Sequence, residues 1–76
     1  MREEVLKVLN EVLPQIDFTE SEHMVDEKIL DSLSIVTLIS ELSISFDVIF
    51  DLSEIDMKQF NSLDSIVDLV SELKGK

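Results

Sequence analysis

The stretch DSLSIVTLISELSISF, residues 31–46, carries one charge, Glu41, after its opening aspartate. Asp31 suits the N-cap of a helix, because its carboxylate can accept from the backbone N–H groups of the next turn. The helix then runs from Ser32 to about Ser45. Leu33, Val36, Ile39, Leu42 and Phe46 recur at spacings of three, three, three and four and are read as its buried face. Ile35, Leu38 and Ile44 lie off that stripe. Burial on one side does not need so many apolar residues, so this helix is either covered on two faces or offers its outer face as a contact surface.

The flanking segments point the same way. Val5, Leu9, Val12, Leu13 and Ile16 make one apolar stripe on a first helix from residue 3 to about residue 13. Glu3 and Glu4 sit at its positive end, and Pro14 disfavours helical geometry at Leu13. Residues 14–30 form a long acidic loop, with Ile16, Phe18, Met24, Val25, Ile29 and Leu30 to pin it to a core. After residue 46 comes an extended connection in which Val48 and Phe50 point inward. Asp56 caps a short helix, Met57 to Phe60. Asn61 or Ser62 caps a last helix from about Leu63 to Leu73, whose stripe is Leu63, Ile66, Val67, Val70 and Leu73. Lys74 and Lys76 lie near its negative end. The expected fold is all-α, a small four-helix bundle of three main helices and one short one with a long first loop, in one domain over residues 1–76.

Composition agrees. The chain has 76 residues, 45% of them hydrophobic, with one Gly, one Pro and no Cys. Neither disulfides nor a zinc–thiolate site can staple so small a domain, and its stability rests on close packing. Seventeen acids against six bases give a net charge of −11, which disfavours nucleic acid and anionic membrane surfaces as partners. Proteins with basic docking surfaces fit better, though such a charge also simply keeps a small protein soluble. No segment resembles a signal peptide or a membrane span, so a cytoplasmic, monomeric protein is expected.

Several site types are excluded. The only glycine is Gly75, so no phosphate-binding glycine loop exists. DLSEIDMKQFNS lacks the Asp pattern and central Gly of an EF-hand. His23 is the sole imidazole and reads as a solvated loop residue rather than part of a Ser-His-Asp triad with Ser32. Asp17, Glu20, Glu22, Asp26 and Glu27 read as a solvated acidic loop, with weak Ca²⁺ or Mg²⁺ chelation as the sharper alternative. Ser32 stands apart. A serine in the first helical turn exposes its hydroxyl, and the N–H groups there favour a phosphate attached to it. On this reading Leu33 points into the core and fixes where that hydroxyl faces.

A D-S-L tripeptide alone is a plain helix start. Here it follows an amphipathic helix and an acidic loop and opens an apolar helix. FDV lies 14 residues beyond Ser32, and KQFNSLDSIVDLVSEL leads into a last amphipathic helix. Along essentially its whole length the sequence resembles the acyl and aminoacyl carrier proteins. That resemblance implies 4′-phosphopantetheine, taken from coenzyme A, on Ser32, flanked by the matching positions Asp31 and Leu33. It also implies a non-catalytic protein served by a phosphopantetheinyl transferase, an acyl- or aminoacyl-activating ligase and downstream transferases. In fatty-acid carriers the second helix bears acids that dock on basic enzymes. Here Ser34, Ile35, Thr37, Ser43 and Ile44 occupy such places, so docking is expected to use Ile35, Leu38, Glu41 and Ile44. Leu30 replaces a small residue, as in D-alanyl carriers of teichoic-acid modification or stand-alone carriers of specialised pathways. Val36, Ile39, Val48, Ile66 and Val67 are candidate walls of a shelter for cargo, or plain core. The reading from another class is an acidic helical adaptor that carries nothing.

Overall fold

A computed structural model describes residues 1–20, 23–51 and 53–75; Glu22 and Lys76, assigned above to the acidic loop and to the last helix end, lie outside the described residues. The element order is α1 (Arg2–Val12), α2 (Ser32–Phe46), a 3₁₀ turn (Met57–Phe60) and α3 (Leu63–Lys74), with no strand among the described residues. This is the all-helical bundle expected from the sequence. Its shortest dimension is 18 Å, about two helix diameters, so each helix keeps one face for the core and one for water. α1 packs on both α2 and α3, which also touch each other.

One cluster of buried apolar side chains joins all the elements: Val5 and Leu9 of α1, four residues of α2, Phe60 of the 3₁₀ turn, and Leu63, Ile66, Leu69 and Val70 of α3. Phe18, Met24 and Leu30 bring the first loop into the same core. Among the described residues no polar or charged side chain is buried. The excess acid therefore lies outside the core, where water screens it.

The helix ends follow local chemistry. α1 stops at Val12, just ahead of Pro14. Asp56 and Gln59 form a reciprocal capping box on the 3₁₀ turn, and Ser62 and Ser65 form another on α3. Ser65 also donates its hydroxyl to the Gln59 carbonyl at 2.7 Å, locking the 3₁₀ turn to α3. α2 ends at Asp47 in the left-handed region (φ 53°). Ser43 then closes the turn, its Oγ donating to the Val48 carbonyl at 2.6 Å. Lys74 reaches across from α3 to donate to the Phe46 carbonyl at 3.1 Å, and Arg2 pairs with Asp64 between α1 and α3.

The buried face of α2 corrects the reading from spacing. The core residues are Ile35, Leu38, Leu42 and Phe46, whereas Leu33 is 79% and Val36 53% exposed. At about 100° per residue, the stripe 35–38–42–46 spans an arc of about 80°, while 33–36–39–42–46 winds over about 180°. Only the narrower arc can face one core. Both stripes share Leu42 and Phe46, which made the periodicity ambiguous. In α3, Leu69 is buried and Val67 only half-buried, a smaller shift of the same kind.

Asp47 places a carboxylate at the negative end of α2 and a Cβ in a left-handed conformation, both unfavourable. Asp47→Gly is expected to stabilise the fold by about 0.5–1 kcal/mol. A rise in the midpoint of urea unfolding followed by circular dichroism checks this.

Candidate functional site

The start of α2 is built by Asp31. Its backbone is extended (φ −98°, ψ −179°), and its carboxylate accepts from the Ser34 N–H at 2.8 Å. The Asp31 carbonyl takes the first helical bond, from the Ile35 N–H at 3.0 Å. Those two bonds place Ser32 at the first helical position, where its side chain is exposed. The Ser34 backbone N–H, and secondarily its hydroxyl, hold the Asp31 carboxyl below its ordinary value of 3.8. α2 carries no acid in its first turn, so nothing there repels a phosphate on Ser32 except the cap itself, whose charge is engaged.

Leu33 does not anchor this turn in the core, as the sequence had suggested; it stands out into solvent beside Ser32. Anchoring falls to Leu30, 2% exposed just before the cap, and to Ile35, 4% exposed just after it. The docking assignment divides in the same way. Ile35 and Leu38 are core residues and offer a partner nothing, while Glu41 is exposed and Ile44 is 76% exposed. The outward face of α2 consists of Leu33, Val36, Thr37, Ser40, Glu41 and Ile44, all exposed and all on the side away from the core. It begins next to Ser32 and bears one charge. Of the candidate cargo walls, Val48 and Ile66 are buried in the core, Ile39 and Val67 are half-buried, and Val36 faces solvent.

The long loop is tied down by a residue the sequence marked only as a possible cap. The Asn61 side-chain oxygen accepts from the Val25 and Asp26 N–H groups at 2.8 and 3.0 Å. Its carbonyl accepts from Met24 N–H at 2.9 Å, and its amide nitrogen donates to Asp26 Oδ2 at 3.3 Å. Asn preceding a Ser cap is a common turn pair, and that pattern gives no hint of a partner 35 residues away. His23 is exposed, and its Nδ1 sits 3.5 Å from the same Asp26 oxygen. Asp17, Glu20 and Glu27 rim an open groove with Ile16 and Ile29. Among the described residues no three His, Cys, Asp or Glu side chains converge as metal ligands. No described helix is long and apolar enough to cross a membrane.

Comparison with curated proteins adds the decisive observation. The chain is 31% identical over 76 residues to the D-alanyl carrier protein of Streptococcus mutans, covering 99% of this chain and 96% of that one. The D-alanyl carrier protein of Lactococcus lactis subsp. lactis is 33% identical over 78 residues, covering 100% and 99%. The chain belongs to the acyl and aminoacyl carrier protein family. A third such protein, from Streptococcus thermophilus, is 31% identical over the same span. No family model matches the chain, and no solved structure matches it. Within this family the molecule is a carrier protein.

The Asp31 cap has a signed pH dependence. Because its folded carboxyl is held below 3.8, its contribution is complete above that value and is lost as pH falls through the folded value. Asp17, whose carboxylate accepts from the Thr19 hydroxyl and N–H, behaves alike. Carboxyl titration by NMR is expected to find both protonating at lower pH than an unpartnered aspartate. Removing the cap with Asp31→Ala is expected to lower Tm at pH 7 and to narrow its gap from wild type at pH 3.

Proposed function

We propose that this carrier protein holds acyl or aminoacyl groups as thioesters on a 4′-phosphopantetheine arm attached to Ser32, for transfer between partner enzymes. One observation carries the reading. In a chain related end to end to carrier proteins, the exposed serine opens α2 behind an aspartate cap. Its hydroxyl oxygen attacks the pyrophosphate of coenzyme A on a separate, Mg²⁺-dependent transferase; a new P–O bond forms, the nucleotide half leaves, and the hydroxyl proton passes to a base of that enzyme. The arm supplies a thiol, which a chain without cysteine lacks. The chain's own part is to present and orient: Asp31 fixes the turn, and Leu30 and Ile35 fix its height above the core.

The narrower reading we favour is a D-alanyl carrier, as the curated relatives are named. Leu30 before the cap and a recognition face with one acid support it, since both depart from the fatty-acid carriers. On this reading the chain is a monomeric, cytoplasmic, single-domain protein without catalysis of its own, loaded by an ATP-dependent ligase and unloaded by a transferase. The surface these partners meet is the outward face of α2, where Leu33, Val36 and Ile44 supply apolar contact and Glu41 supplies charge.

Intact mass is the direct test. Incubation with coenzyme A, Mg²⁺ and a broad-specificity transferase is expected to add one phosphopantetheine, and Ser32→Ala is expected to add none while staying folded. An unmodified but folded wild type would favour the adaptor. Adding D-alanine, ATP and a D-alanine-activating ligase to the modified protein then separates aminoacyl from fatty-acyl cargo by mass.

Docking has its own test. Ile44→Glu is expected to slow loading by the cognate ligase about tenfold with Tm nearly unchanged, because it charges an exposed apolar contact. Ile35→Glu is expected to unfold the protein, because it buries an unpaired carboxylate in the core. Unaltered loading of Ile44→Glu would remove this face from the docking surface.

A further inference from the structure

Residues 24–30 are held in a conformation the chain does not favour unaided, a few residues before Ser32. Lys28 sits in the left-handed region at φ 60°, where a side chain is strained. The segment closes on itself through the Glu27 N–H to the His23 carbonyl, the Lys28 N–H to the Val25 carbonyl and the Leu30 N–H to the Met24 carbonyl, at 2.8, 3.1 and 3.0 Å. Leu30, which ends it, is buried and adjoins the Asp31 cap. The polar tie of this segment to the rest of the bundle runs through Asn61, by the four bonds given above. Asn61 is itself fixed, its N–H donating to the Lys58 carbonyl at 3.1 Å while Ser62 beside it caps α3.

We propose that Asn61 is a positioning residue for the modification of Ser32: it latches the strained 24–30 turn, and thereby the approach to Ser32, to the junction of the 3₁₀ turn and α3. Beside the backbone carbonyl, the side-chain oxygen and one side-chain N–H are spent on that segment, and no apolar residue of similar size can replace those two side-chain groups. Without the latch, Lys28 relaxes toward ordinary backbone and the approach to Ser32 is populated in competent and incompetent forms. An enzyme that docks beside Ser32 then meets a smaller competent fraction. Its apparent affinity falls by that fraction, while turnover, once docked, is unchanged.

The inference rests on Ser32 being the attachment site, and its test keeps the two apart. Initial rates of phosphopantetheine transfer from coenzyme A are measured against carrier concentration. Absence of transfer to folded wild type counts against Ser32 as the site; the comparisons below count for or against Asn61. Asn61→Ala is expected to raise KM for the carrier about fivefold or more with kcat within twofold, at a temperature well below its Tm. Asn61→Asp keeps the acceptor but sets two carboxylates against each other, and is also expected to raise KM. Combining it with Asp26→Asn reverses donor and acceptor, and is expected to return KM to within twofold of wild type. An unchanged KM in the single variants, a loss confined to kcat, or failure of the reciprocal pair to restore KM would each overturn the role. Should Asn61→Ala not fold, Asn61→Asp and the reciprocal pair decide between the same outcomes.

Discussion

Everything in this molecule hangs on the rotation of α2 about its own axis. Asp31 fixes where the helix begins, and Ile35, Leu38, Leu42 and Phe46 fix which side faces inward. With start and register both set, every other side chain of the helix has no freedom in its direction. Ser32 and Leu33 are outward because Ile35 is inward, not through contacts of their own. The buried side chains at Leu38 and Leu42 are worth about 2–5 kcal/mol each on truncation, whereas an exposed leucine is worth little, so the core decides the rotation and the surface follows.

The two ends of α2 are held by different means. At the start, a side-chain cap and two flanking core residues leave the serine free. At the finish, Ser43 grips the turn and Lys74 reaches over from α3, so that the carbonyl ends meet a cation where the helix dipole favours one. Of these, the Asp31 cap and the Lys74 contact depend on charge. The ion pair between Arg2 and Asp64 and the Lys74 contact use two of the few cations, both to join helices.

Helix number, order, caps and most boundaries were legible in the sequence, because Asp31, Asp56 and Ser62 are strong local signals and Pro14 is a strong stop. The face of α2 was misread, since two overlapping apolar stripes share Leu42 and Phe46 and the one beginning at Leu33 has the more regular spacing. The arc each stripe subtends at about 100° per residue was in the sequence and separates them, because only the narrower one can face a single core. Leu33 and Ile35 thus exchanged roles between sequence and structure. The serine itself was legible, its support less so. Asn61 looked like a cap because its local context is a turn, whereas its partners are Val25 and Asp26, which no short window contains.

The apolar outward face of α2 also bears on the life of the chain before it folds. Residues 32–46 hold one charge among closely spaced apolar side chains, so an unfolded or nascent copy exposes a segment of the kind that aggregates. Asp31 and Asp47 stand at its two borders as gatekeepers, and the net charge of −11 repels one copy from another. Asp47 is thus poor for the folded helix and useful to the unfolded one. The acid spread over the rest of the chain is what permits one helix to be so nearly free of it.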